Sequence, residues 1–128
     1  MPFKLSVALL ATACVASAHA ADFDASKPLL CASVSAVDCV EGRCISGMPS
    51  EIGAPPFMRL DFAKKTVAGE KRTSAIQSME AGEGQLILRG FELGYAWTIT
   101  IDQTDGRMVT TLTNVNGVFA VFGACTAP

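Results

Sequence analysis

The side chains able to do chemistry are few and scattered. The chain holds five cysteines, one histidine, and twelve aspartates and glutamates. The cysteines carry the strongest pattern. Cys31, Cys39 and Cys44 cluster early, Cys125 stands near the C-terminus, and Cys14 lies in an apolar N-terminal run. If the apolar run is a secretion leader that takes Cys14 with it, the other four cysteines imply two disulfides in a small exported domain. A four-cysteine zinc site needs two close pairs, and only Cys39 and Cys44 are close. Val40-Glu41-Gly42-Arg43 reads as a hairpin turn with Glu41-Gly42 at its tip. A two-residue loop sets Cys39 opposite Cys44, where Cα atoms at a non-hydrogen-bonded position lie about 4.5 Å apart, within disulfide reach. That leaves Cys31 with Cys125. A bulge in the turn would shift the pairing to Cys31–Cys44 or Cys31–Cys39.

The remaining candidates point away from catalysis. The lone histidine, His19, lies in the expected leader, so cleavage after Ala20 would leave the mature chain without imidazole chemistry. Ser26 with Lys27, and Ser74 with Lys71, could form Ser–Lys dyads, but neither sits in a strained or Gly-rich nucleophile setting. Most acids lie beside Gly, Pro, Lys or Arg, as turn residues do. Asp61 differs, because it sits in an alternating strand with Arg59 on the same face, and reads as half of a solvated ion pair. Asp102-Gln103-Thr104-Asp105-Gly106 has two of the acids of a calcium loop but no distal Glu. Met48, Met58, Met79 and Met108 lack a copper-binding spacing. No catalytic residue, cofactor site or metal site is therefore expected. Tyr95 and Trp97 are the candidate ligand contacts, since aromatic faces can line an apolar pocket.

The leader explains part of the hydrophobicity. Residues 1–20 read MPFKLSVALLATACVASAHA. One lysine precedes an apolar run, and Ala18-His19-Ala20 is a small-x-small cleavage site, so a signal peptide cut after Ala20 is expected. The run is shorter than the roughly 20 residues of a transmembrane helix. The location implied is periplasmic or extracellular. In a second reading, Ala11-Thr12-Ala13-Cys14 is a lipobox and Cys14 an acylated anchor. The net charge of −2, with no basic cluster, excludes a nucleic-acid partner, which requires a basic stripe.

The elements that must position these residues are strands. Residues 21–28 form a polar leader, and 29–128 a single β domain. Met58, Leu60 and Phe62 alternate with polar residues. Thr73 to Met79 reads as an edge strand, and a short helix would fit only between Lys64 and Ala81. Tyr95, Trp97, Ile99 and Ile101 share one face of the clearest strand. Gln103–Gly106 and Asn116-Gly117 read as hairpin loops. The result is an all-β chain of about seven antiparallel strands with a C-terminal hairpin meander. Such a sheet must curl or close to bury its apolar face. The expected architecture is a small antiparallel barrel or compact sandwich with two disulfides.

The early cysteine cluster, Leu86-x-Leu88-x-Gly90, Trp97-Thr98-x-Thr100-Ile101, Asp105-Gly106 and Phe122-Gly123-Ala124-Cys125 together resemble small exported bacterial β-rich proteins of uncharacterised function. That resemblance implies a periplasmic, disulfide-tied β domain and supplies no activity. The chain is also similar to small periplasmic β-barrel inhibitors of lysozymes and proteases, without a mapped inhibitory motif. The expectation is an exported, non-enzymatic binding or inhibitory module with a protein or small-molecule partner. The alternatives are a ligand-binding β-barrel with a pocket lined by Trp97 and Tyr95, and a carboxylate-based enzyme.

Overall fold

The computed structural model describes residues 2–3, 11–13 and 22–128. The expected cleavage site after Ala20, and Cys14, lie outside the described residues. The strands are β1 (Leu29–Val40), β2 (Arg43–Gly47), β3 (Phe57–Asp61), β4 (Thr66–Ala68), β5 (Thr73–Ala75), β6 (Ser78–Gly82), β7 (Gln85–Glu92), β8 (Tyr95–Asp102), β9 (Arg107–Asn114) and β10 (Gly117–Thr126). They form one antiparallel sheet in the order β5-β4-β3-β1-β10-β9-β8-β7-β6, with β2 on β1 beside the main path. The sheet curls into a half-barrel, so the barrel expectation holds over the sandwich. The count rises from about seven strands to ten, partly because Thr73 to Met79 is not one strand. It breaks at Ile76–Gln77 into β5 and the start of β6.

That break is what curls the sheet. The Ile76 N–H donates to the Lys65 carbonyl at 2.8 Å, and the Gln77 N–H to the Arg89 carbonyl at 2.8 Å. One continuous segment thus grips β4 with its first part and β7 with its second. The two outermost strands of the sheet are successive pieces of this segment. Gly90 permits the close approach, since a Cβ there would run into the Trp97 ring and the Ala75 carbonyl.

β1 is long enough to serve two neighbours on one side. Its first part pairs with β3, Leu29 opposite Leu60 and Ala32 opposite Phe57. Its last part pairs with β2, from Ala36 opposite Gly47 to Val40 opposite Arg43. A bulge between Ser33 and Ser35 shifts the register against β10, and such an extra residue bends the strand and strengthens its twist.

Alternation then sorts the faces. Leu29, Leu60, Leu88, Ile99, Ile101 and Met108 are among the largest fully buried side chains and fill the concave side. Fully burying each such side chain stabilises by about 1.5–3 kcal/mol. The polar leader turns out to carry a core residue. Phe23 is buried in this cluster, and Gln103 Nε2 donates to its carbonyl at 3.2 Å. The Phe23 ring lies beside Gly106, whose φ of +78° and lack of a Cβ the site requires.

The disulfides are Cys31–Cys125 and Cys39–Cys44, as the spacing argument favoured. The first is buried in the core and joins opposed residues of β1 and β10. The second joins opposed residues of β1 and β2, on the convex side. Their hairpin turns at Glu41-Gly42, with φ of +47° and +79°, the primed turn that suits a two-residue loop. Glu83-Gly84 and Leu93-Gly94 repeat that chemistry. The Asn116-Gly117 loop is displaced by one residue. β9 ends at Asn114 and β10 starts at Gly117, so the loop is Val115-Asn116. The Asn114 side chain accepts the Asn116 N–H at 2.9 Å and supports that turn. Gly117 serves instead to let the Cys39 carbonyl pass close by.

Candidate functional site: the open end of the half-barrel

Antiparallel order brings three hairpin tips to one end. β1, β7 and β9 all run toward it, and turn there at Glu41-Gly42, Leu93-Gly94 and Val115-Asn116. At the opposite end, Phe23 packs on the core. At this end the concave side stays open.

Two of the three tips are apolar. Val115 is 100% exposed and Leu93 69%. A turn needs no hydrophobic side chain at its apex, and solvent disfavours one. Val40 and Ile45 flank the third tip and are also exposed. Their neighbours on the concave side are Asp38, which opposes both Ile45 and Phe119, and Arg43, which opposes Val40. Asp38, Val40, Glu41, Arg43 and Ile45 line an open hollow of about 530 Å3. A notch of about 60 Å3 continues it across β10, β9 and β8, bounded by Asp38, Val40, Tyr95, Asn114 and Phe119 among others. The Tyr95 and Phe119 rings lie 5.8 Å apart between centroids, tilted by 47°, a favourable aromatic arrangement.

The two aromatic candidates therefore part company. Tyr95 stands at the opening. Trp97, one step further along the same face of β8, is 5% exposed and belongs to the core. Its indole N–H donates to Ser74 Oγ at 2.9 Å, and Ser74 Oγ donates to the Phe91 carbonyl at 3.0 Å. A buried indole N–H usually finds such a partner. Trp97 acts as the strut that holds β5 against β7 and is not among the residues bounding the notch. Phe119, Val40 and Ile45 were not singled out from the sequence. Phe119 sits in an unbroken apolar run whose faces alternation cannot sort, and Val40 gains its role from the tip beside it.

The other candidates are placed as turn and surface groups. Asp102 and Asp105 do not converge on a vacant centre. Asp102 Oδ1 accepts the Thr104 N–H at 2.7 Å and the Asp105 N–H at 3.3 Å, and its other oxygen receives Arg107 at 3.0 Å. The Thr104 N–H above all, then the Asp105 N–H and Arg107, hold the Asp102 carboxyl below its ordinary value. Asp105 binds the Arg107 guanidinium at 2.8 Å. Asp61 accepts the Lys64 N–H at 2.9 Å and so caps the turn after β3, a local role in place of the expected partnership with Arg59. Ser74 is committed to Trp97 and Phe91, and Ser26 binds Asp24 through its N–H at 2.9 Å. Glu80 pairs with Arg89 at 2.6 Å, and Glu92 with Arg72 at 3.6 Å. Among the described residues no group of three or more His, Cys, Asp or Glu could hold a metal ion. Among the same residues no helix is long and apolar enough to cross a membrane.

No family model matches the chain, and no curated protein or solved structure matches it either.

Proposed function

We propose that the chain is an exported, non-enzymatic binding or inhibitory module that engages a partner protein through the open end of the half-barrel. Two disulfides fit an oxidising compartment. The observation that carries the proposal is the pair of exposed apolar tips, Leu93 and Val115, at the same end of the sheet as Tyr95, Phe119, Val40 and Ile45. Exposed apolar clusters rimmed by polar groups mark contact sites. Here the rim is supplied by Asp38, Glu41, Arg43 and Asn114. Tight two-residue turns, and the Cys39–Cys44 bridge beside one of them, hold the tips rigid. Rigid presentation lowers the ordering cost of binding. The curled interior is filled by leucine, isoleucine and methionine side chains, which favours a surface contact over an enclosed small ligand.

The experiment is capture from the exported fraction of the source cells with the tagged wild type and with the double variant Leu93→Asp, Val115→Asp. The wild type is expected to retain a partner that the double variant loses, with the melting temperature of both unchanged. A wild type that returns only itself under several conditions overturns the reading.

A further inference from the structure

The geometry of β2 points to a second copy of this chain, paired edge to edge. β2 hydrogen-bonds to β1 alone, and its residues from Arg43 to Ser46 are exposed. Val40 and Arg43 flank a two-residue loop, so they form a hydrogen-bonded pair, and such pairs alternate along the hairpin. The Cα separation of 4.1 Å between Cys39 and Cys44 fits the non-hydrogen-bonded position between. The backbone groups of Arg43, Ile45 and Gly47 are therefore spent on β1. Those of Cys44 and Ser46 face outward, away from it. An unpaired edge of this kind is a template for another strand.

The side chains select both the occupant and the register. An antiparallel twofold centred on Ile45 sets Cys44 opposite Ser46 of the second copy, twice, with four backbone hydrogen bonds. It puts the two Ile45 side chains, each 73% exposed in the single chain, against one another on the concave side. It also sets Arg43 opposite Gly47 of the other copy. Gly47 has no side chain of its own, and the Glu51 carboxylate occupies the place where its Cβ would stand. Arg43 of each copy thus meets Glu51 of the other. Within one chain the two cannot meet through this edge, because Arg43 and Gly47 are four residues apart, about 13 Å along a strand. Shifting the centre to Cys44 or Ser46 loses both the isoleucine contact and the ion pairs. Such a self-complementary patch is what a twofold dimer requires.

The contact is small, well under the roughly 800 Å² per partner of a standard interface, so association is reversible and grows with concentration. The pairing would join the concave surfaces of two copies through Ile45. It shares Ile45 and Arg43 with the partner surface proposed above, while the trapping experiment reads the edge pairing alone and the capture experiment reads Leu93 and Val115.

The test is disulfide trapping in the full exported chain, with the native cysteines bridged. Ile45→Cys is expected to form a covalent dimer under mild oxidation, its 45–45 link identified by peptide mapping. Val34→Cys, exposed in the β1 bulge, is the collision control and stays monomeric. Adding Arg43→Glu to Ile45→Cys opposes two like charges and slows trapping about tenfold, and adding Glu51→Arg as well restores it. Ser46→Pro deletes an outward N–H that β1 does not use, and abolishes trapping. Should Ser46→Pro fail to fold, the charge swap still decides. Trapping of Ile45→Cys no faster than Val34→Cys, or a charge swap that does not restore it, overturns the proposal.

Discussion

Removing each disulfide separately should reveal two very different contributions to stability. The Cys31–Cys125 bridge spans 94 residues of sequence and the Cys39–Cys44 bridge spans 5. Loop-closure entropy then assigns roughly 4–5 kcal/mol to the first and about 2 kcal/mol to the second. The difference is enlarged by surroundings. Cys31 and Cys125 are buried in the core, so their replacement also disturbs packing, whereas the second bridge lies on the convex side of an exposed hairpin. Against a total stability of about 5–15 kcal/mol, loss of the long bridge is close to decisive. The perturbations are the double variants Cys31→Ala, Cys125→Ala and Cys39→Ala, Cys44→Ala, which remove both halves of one bridge at a time. Thermal melts should fall by roughly 20–30 °C for the first and about 10 °C for the second, and urea midpoints should fall in the same order. Equal losses from the two would refute the reasoning, because they would mean that the unfolded chain gains no more freedom from the long loop than from the short one.

Three further outcomes follow from particular contacts. Ser74→Ala leaves the buried Trp97 indole N–H without its acceptor and should cost about 1–3 kcal/mol, read by denaturant melts with a shift of the single tryptophan's fluorescence; an unchanged melt would deny the strut role. Thr110 Oγ1 is buried with no hydrogen-bond partner among the described residues, so Thr110→Val should be neutral or should stabilise by about 1 kcal/mol, and a clear loss in urea midpoint would show that the hydroxyl is satisfied after all. Asp102 is held below its ordinary value of 3.8, so its contribution to stability is complete above that pH and is lost as pH falls through the lower folded value. A carboxylate titration by NMR should place its midpoint below 3.8, and Asp102→Asn should flatten the acid limb of the stability curve; a midpoint at or above the ordinary value would contradict the Thr104 and Asp105 hydrogen bonds.

The all-β class and the opposition of Cys39 and Cys44 were legible in the residues themselves, because their determinants are local. Period-two alternation from Tyr95 to Ile101 settles which face of β8 is apolar, whatever that strand packs against. Glu41-Gly42 sets a two-residue loop, and the loop alone places Cys39 across from Cys44. With Cys14 in the expected leader, parity favours Cys31 with Cys125, and the unbulged turn seen in the structure excludes the alternatives Cys31–Cys44 and Cys31–Cys39. What the tertiary structure alone decided depends on contacts between distant segments. The break at Ile76–Gln77 has no breaker residue; it arises because Lys65 and Arg89, on opposite margins of the sheet, each claim one of its N–H groups. Phe23 reads as part of a polar leader until Gly106 leaves room for its ring. Trp97 and Tyr95 are equivalent by spacing, and only the arrival of Ser74 beside the indole makes one a strut and leaves the other at the opening. The candidate site itself lies in that second category. Leu93, Val115 and Val40 are unremarkable in sequence, and they gather at one end only because β1, β7 and β9 run the same way through the curled sheet.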